Sequence, residues 1–270
     1  MTPAPVVKSA SYGADDPTGG DAKEYFDRED RILSDPSHPG YIMPEFVRGE
    51  SVLNLGCGRM RLRPPNGELY VGIDPFFEPL QQRKQDDPTA LSVRAIGEAL
   101  PIRNASFGLI MARDVIIYMD VPSFIPEAHR VLEPGGRVWL TGHKFSHLAL
   151  HFVMSLLRLN VKDVIYRVYV FTNGMLFHYF GRMMRFPLNR KRIESFQTKG
   201  GLRRALARQG FTEIEFVVPS PNRRGLRRSI RRARRLMRSS RLRSAGKQLL
   251  LWRHFLVTAR KPATPAARHT

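Results

Sequence analysis

The stretch from Ser51 to Asp74 constrains this chain more than any other. It opens Ser51-Val-Leu-Asn-Leu-Gly-Cys-Gly58, an apolar run that stops at two glycines one residue apart. It closes Leu69-Tyr-Val-Gly-Ile-Asp74, a second apolar run that ends in an aspartate. Such runs read as two buried parallel strands finishing at the same edge of a sheet. Glycine at 56 and 58 lets the backbone turn sharply and lets a ligand approach without interference from Cβ. An aspartate at the tip of the second strand sits where the acidic residue of a nucleotide-binding βαβ unit accepts hydrogen bonds from a ribose. The same pattern also serves a tight strand-to-helix turn that binds nothing.

Further elements follow the same alternation. Phe76 to Gln85 reads as a helix, Leu91 to Ile96 as a third strand and Phe107 to Ala112 as a fourth. Pro122 to Leu132 reads as a helix with proline at its start, where the missing N–H costs nothing. Glu133-Pro-Gly-Gly136 predicts a turn, and Arg137 to Thr141 a fifth strand. Strand and helix in this order imply a parallel, doubly wound α/β sheet with right-handed crossovers. Phe145 to Leu188 breaks the rhythm. It is apolar and aromatic and reads as a helical insertion, with a turn expected at Asn173-Gly174. Gly201 to Gln209 predicts a short helix ended by Gly210. Phe211 to Val218 and Trp252 to Ala259 complete seven strands.

Composition narrows the classes. The single cysteine, Cys57, excludes an internal disulfide and a cysteine-based zinc cluster, and no metal is expected. Cys57 reads as a small residue that fits rather than a nucleophile. Residues 1–21 and 261–270 are expected to be disordered tails around a domain spanning 22–260, with a short charged helix at Ala22 to Ile32. Met1 to Gly20 has no apolar core. The most apolar run, Leu148 to Leu157, is half of the ~20 residues a membrane span needs. The expected location is therefore cytoplasmic, free or peripheral to a membrane.

With these elements placed, the chain resembles the class I S-adenosylmethionine-dependent methyltransferases, of the type that acts on small molecules and lipids. Val52-Leu-Asn-Leu-Gly-Cys-Gly58 resembles the family's glycine-rich first motif, and Asp74 matches the acidic residue after its second strand. Gly97-Glu-Ala-Leu-Pro101 with Ala105-Ser-Phe107 resembles a further family stretch. Glu127-Ala-His-Arg-Val-Leu-Glu-Pro-Gly-Gly-Arg-Val138 is close to the family's "R-V-L-K-P-G-G" motif. The resemblance implies a Rossmann-like, seven-stranded, mostly parallel sheet with a final antiparallel hairpin. It also implies S-adenosyl-L-methionine as cofactor. The chain departs from the family at four places. Asn54 stands where an acid opens the first motif, and Met60 replaces its third glycine. Gly108 stands for an aspartate, and Ile96 for the acid often used on the adenine amine. An amide at 54 loses the charge attraction to the cofactor's ammonium.

The resemblance implies the following roles. Gly56, Cys57 and Gly58, with Asn54 beneath them, hold the methionine end. Asp74 takes the ribose hydroxyls, and Pro75 and Phe76 flank the adenine. Gly97 and Glu98 meet the adenine edge through backbone groups, and Arg113 reaches the carboxylate. Methyl transfer needs a base only for a poorly nucleophilic acceptor. His143 is the first candidate, followed by Asp114 and Tyr118.

Charge is unevenly distributed. Residues 201–270 carry 19 Lys and Arg against two acids, a net +17, whereas residues 1–200 carry 25 against 22. Much of the excess lies in an expected basic helical extension, 219–251, with 11 arginines between Arg223 and Arg243. Leu226, Ile230, Ala233 and Met237 form one apolar stripe along it, a surface-binding pattern. It suits an anionic membrane, a nucleic-acid backbone or a soluble anionic substrate, or it is merely a solvated helix. The aromatic insertion at 145–200 favours an apolar, lipid-linked or quinone-like acceptor at a membrane. Methylation of a soluble small molecule, RNA or DNA methylation, and a non-catalytic adaptor are the alternatives.

Overall fold

Every residue of the first strand, Val52–Leu55 (β1), is buried, because it has a parallel neighbour on each side and covered faces above and below. Its neighbours are Tyr70–Asp74 (β2) and Phe107–Ala112 (β4). The computed structural model describes residues 31–32, 43–60, 69–143, 152, 155, 157, 159–190, 192–217 and 254–263. The expected tail at 1–21, nearly all of the helix at Ala22 to Ile32, and the basic extension at 219–251 lie outside these residues. So does most of the tail at 261–270.

The remaining strands are Leu91–Arg94 (β3), Leu132–His143 (β5), Thr212–Val217 (β6) and His254–Arg260 (β7). They form one seven-stranded sheet in the order β3-β2-β1-β4-β5-β7-β6, in which β7 runs antiparallel to the other six strands. The strand order reverses between β1 and β4. In an open α/β sheet the crevice at the carboxyl ends of the strands at such a reversal is where ligands bind.

Helices cover the sheet. Phe77–Asp86 (α1) follows β2, and Val121–Val131 (α2) lies between β4 and β5. Val161–Phe180 (α3) and Lys199–Arg208 (α4) lie between β5 and β6. Phe124, Ile125, Ala128, Leu202 and Leu206 of α2 and α4 pack on Leu53, Ile110 and Leu140 to form the main core. On the opposite face Val52, Tyr70, Leu109, Met111 and Trp139 pack with Met43 and Phe46. Alternate residues of β1 and β4 thus serve two cores, as the two-residue period of a strand requires. Among the described residues no helix is long and apolar enough to cross a membrane.

Two expected turns are not turns. Glu133 to Gly136 lies within β5, as a register shift that sets four residues against one: Phe107 pairs with Leu132, but Leu109 pairs with Arg137. Gly135 takes φ +81° there, so proline and glycine mark a break in register and the strand continues. Asn173-Gly174 lies inside α3. Asn173 is buried, with Nδ2 donating to the Glu194 carbonyl at 2.9 Å and Oδ1 accepting from Met184 N at 2.8 Å. Gly174 is where the Phe196 ring lies against the helix, and a Cβ there would come within 2.4 Å of two ring carbons. Packing has overridden the local turn preference of the pair. The helix is bounded instead by Asn160, whose side chain accepts from Asp163 N, and by Gly181 in the left-handed conformation, which are the expected cap residues. Gly174→Ala is expected to lower stability by about 1–3 kcal/mol, although alanine is the better helix former. Thermal unfolding checks this.

Candidate cofactor site

The site grows from the C-terminal tips of β1, β2 and β4. Gly56 and Gly58 both take left-handed backbone angles, φ +64° and +52°. A Cβ at Gly56 would lie 2.3 Å from Cγ1 of Val115, in the loop after β4. The glycine is therefore required both by its own torsion and by the close approach of that loop. Cys57 between them turns its side chain into the sheet, where Gly72 of β2 makes room: a Cβ on Gly72 would meet Cys57 Sγ at 2.7 Å. The Cys57 N–H donates to Ile73 O at 3.0 Å. Burial pushes the Cys57 thiol up to about 12, with the Asp74 charge adding to the shift. A thiol held protonated is a poor nucleophile, so the only cysteine in the chain should react with iodoacetamide upon unfolding and not before.

Asp74 fastens the loop from the β2 side. It is 2% exposed. Gly58 N–H donates to its Oδ2 at 2.9 Å and Phe76 N–H to its Oδ1 at 2.9 Å. Burial raises the Asp74 carboxyl above the usual carboxylate range, and the two backbone donors oppose the shift. A carboxylate has about four acceptor sites. About two remain for further donors, which is the number a vicinal diol needs. Behind the loop, the buried Arg83 of α1 donates to Met60 O at 3.0 Å and to Leu91 O at 2.8 Å. It thereby ties the loop to the start of β3.

Asn54 lies beneath the loop and is fully buried. Its Nδ2 donates to Tyr70 Oη at 2.7 Å. Its Oδ1 is buried with no hydrogen-bond partner among the described residues. An orphaned acceptor is costly in a protein interior, and a cationic ligand group or its bound water would satisfy it. The loop geometry, the spare acceptor sites of Asp74 and this atom together fit S-adenosylmethionine.

The stretch at 97–102 forms a third wall. Gly97 packs against Met119 and Phe124, both within 3.3 Å of a Cβ built there. Glu98 turns its carboxylate inward to accept from Asp120 N at 2.7 Å. Burial raises the Glu98 carboxyl, and the Asp120 N–H opposes this. Leu100 N donates to Glu127 Oε2 at 3.0 Å, while Arg130 donates to Leu100 O at 3.0 Å and Ile102 O at 2.7 Å. The two motifs that resemble the family at 97–107 and 127–138 are therefore in direct contact, the second clamping the first. Pro75 and Phe76 follow Asp74, and Pro75 O accepts from Arg94 Nε at 3.1 Å.

Past β4, Arg113 is half-buried next to the glycine loop, because Ala112 pairs with Leu55. Asp114 takes φ +58°, an uncommon angle for a non-glycine residue and one that clusters at functional sites. A reciprocal pair holds it: Asp114 N donates to Thr141 Oγ1 at 2.9 Å, and that hydroxyl donates to Asp114 Oδ1 at 3.0 Å. His143 is the last residue of β5, two beyond Thr141 and opposite His254 in the register. The structure thus brings Asp114 to the same strand tip as His143. Tyr118 lies on a 3-10 turn, Ile116–Tyr118, and is exposed. Sequence reasoning missed Thr141, Arg83, Tyr70 and Val115. Of the new contacts only Glu127–Arg130 carried a signal, the i,i+3 spacing of opposite charges.

The insertion reaches this edge as well. Ser195 N donates to Ile117 O at 2.9 Å, which fixes the strip after α3 to the loop after β4. Inside the insertion Tyr166 donates to the buried Glu194, whose backbone N–H in turn donates to Tyr169 Oη at 3.2 Å. Burial raises the Glu194 carboxyl, and Tyr166, Arg167 and Arg192 oppose the shift.

Residues 53–140 match the family described as "Methyltransferase domain". An uncharacterized methyltransferase of Mycobacterium tuberculosis is 28% identical over 110 residues, covering 39% of this chain and 45% of the relative. One of Synechocystis is 32% identical over 94 residues, covering 33% and 44%. The chain thus spans less than half the length of the curated relatives it matches. Among solved structures, an S-adenosylmethionine-dependent methyltransferase of Mesorhizobium loti aligns with TM-score 0.51 at 20% identity, over 81% of this chain and 93% of that one. That likeness speaks to the fold. The seven-stranded order with its antiparallel last strand, the glycine loop closed by Asp74, and the matched domain lead to one assignment: residues 53–140 match the methyltransferase domain family, and the sheet that holds them has the Rossmann-like methyltransferase fold.

Proposed function

We propose that this protein transfers the methyl group of S-adenosylmethionine to an apolar acceptor, lipid-linked or quinone-like, presented at a membrane surface. The observation that carries the reading is the insertion. It is tied to the loop after β4 at Ser195–Ile117, and from Val164 to Ile193 it contains no acidic residue. An insertion of this composition beside the crevice suits a greasy acceptor better than a polar one.

When bound, the cofactor supplies a methyl group already activated on a sulfonium, so positioning and exclusion of water carry much of the catalysis. Gly56 to Gly58 and Asp74 hold and orient it, with Arg113 beside the loop as a cation for its carboxylate. Gly97 and Glu98 form the wall on the adenine side. An acceptor that loses a proton on methylation needs a base. Asp114, fixed by Thr141, and His143, at the adjoining strand end, are the groups available at that edge.

The test divides a lysate of the source organism into an organic extract dispersed in mild detergent, a nucleic-acid fraction and a small polar fraction. Release of S-adenosylhomocysteine is then measured with each. The reading predicts release with the organic extract. Release only with the polar fraction would assign a soluble acceptor, and release only with nucleic acid would make the arginine-rich segment a phosphate grip.

A further inference from the structure

Helix α3 is apolar on two faces. Tyr166, Val170 and Phe177 face inward and are buried. The opposite face carries Val161, Ile165, Val168 and Tyr179, which are 68%, 48%, 49% and 68% exposed, with Thr172 between them. Positions 161, 165, 168, 172 and 179 fall on one helical stripe. The only charges on the helix are Lys162, Asp163 and Arg167, and Arg167 is buried in an ion pair with Asp163 at 3.4 Å. A helix that is apolar all round requires cover on both faces.

The surroundings of the open face indicate its cover. Past Gly181 the chain exposes Met184 and Leu188 together with Arg182, Arg185 and Arg190. Residues 164–193 hold six Lys and Arg and no acid; Arg167 and Arg192 pair with Asp163 and Glu194 and Arg185 faces Glu98, so the patch keeps a net positive charge that favours an anionic partner. Exposed aliphatic and aromatic side chains next to exposed arginines form the pattern of an element lying in a bilayer interface. A phosphate backbone would use the arginines and leave the apolar stripe wet.

We infer that the outer face of α3, with the arginines at 182, 185 and 190, docks flat onto an anionic lipid bilayer and sets the crevice against the membrane. This rests on the proposed apolar acceptor and adds the surface by which that acceptor is reached.

The test is co-sedimentation of the full-length protein with vesicles of phosphatidylcholine alone or mixed equally with phosphatidylglycerol, without cofactor or acceptor. Binding to the anionic vesicles is expected. Ile165→Ser with Val168→Ser should weaken it about tenfold or more. Arg182→Gln with Arg185→Gln should weaken it about fivefold per arginine on the anionic vesicles alone. Circular dichroism and thermal unfolding check that each variant folds. The stripe pair is partly exposed, and the arginine pair leaves the helix untouched, so at least one of the two remains interpretable. Three results would overturn the proposal. The stripe and arginine variants could bind as wild type while substitution of the arginines at 223–243 abolishes binding. The wild type could ignore vesicles and dimerise through the stripe, seen as a halved mass for Ile165→Ser in sedimentation equilibrium. The stripe pair could unfold the protein while the arginine pair binds normally, which would mean that this chain covers its own stripe. Methyl transfer to a detergent-dispersed extract is read separately. Transfer without vesicle binding sinks the docking face alone, and vesicle binding without transfer to the extract sinks the acceptor.

Discussion

Asp74→Ala is expected to remove measurable binding of S-adenosylhomocysteine. The carboxylate acts twice. It accepts from Gly58 N and Phe76 N, which shapes the loop, and its remaining acceptor sites would serve the ligand's hydroxyls on the proposed reading. Two charge-assisted hydrogen bonds at about 1.5–3 kcal/mol each put the loss at about a hundredfold or more, before any loosening of the loop. Asp74→Asn separates the two roles. It keeps the shape and one acceptor but puts an N–H where the second carboxylate oxygen accepted hydrogen bonds, so it should also bind weakly while unfolding closer to wild type. Equilibrium dialysis with labelled ligand reads the affinity, and thermal unfolding reads the loop.

The same residue predicts a pH dependence. Burial raises its carboxyl above the usual range. Ligand binding that needs the carboxylate should therefore begin to fall at a higher pH than an ordinary aspartate would cause. For folding the sign is opposite. A carboxyl harder to ionise in the folded state costs stability once it is charged, and that cost is relieved as the pH falls through its folded value.

Gly56→Ala has the second large effect. The residue is held at φ +64°, which costs an alanine about 1–2 kcal/mol. Its Cβ would also lie 2.3 Å from Cγ1 of Val115. A β-branched side chain cannot swing away cheaply, so the loop after β1 and the loop after β4 must separate. Overpacking of this kind costs about 1–3 kcal/mol. The expected result is a destabilised protein with weakened cofactor binding, because both loops border the crevice. Val115→Ala in the same chain should recover part of the stability by removing the clashing methyl. Rescue distinguishes the steric argument from a purely torsional one.

These predictions rest on features that were legible in the sequence to different degrees. β1, β2 and β4 were readable because a strand buried on both faces is a continuous apolar run, and Gly56, Gly58 and Asp74 mark where the runs stop. The reversal in strand order was readable only through the family resemblance, since nothing local in Phe107 to Ala112 says that it lies beside β1. Asn173-Gly174 misled because a turn dipeptide reports local preference, whereas the buried amide of Asn173 and the Phe196 ring on Gly174 are tertiary contacts. The bulge at Glu133 to Gly136 misled for the converse reason: the glycines do break the local geometry, but the strand continues past them. Thr141 left no trace at all. Its hydroxyl matters because the fold sets it against Asp114, 27 residues earlier in the chain. The exposed stripe of α3 was hidden within an insertion that read as uniformly apolar. Only the packing of its inner face shows which side chains are left outside.

Titrating the wild-type protein with S-adenosylhomocysteine in a calorimeter tests the central claim most directly, because every role assigned to the crevice depends on that ligand. The expected result is single-site binding with a Kd at or below the order of tens of micromolar (~6–7 kcal/mol), lost in Asp74→Ala. A folded protein that gives no heat at such concentrations would contradict the account and would leave a methyltransferase fold that no longer holds its cofactor.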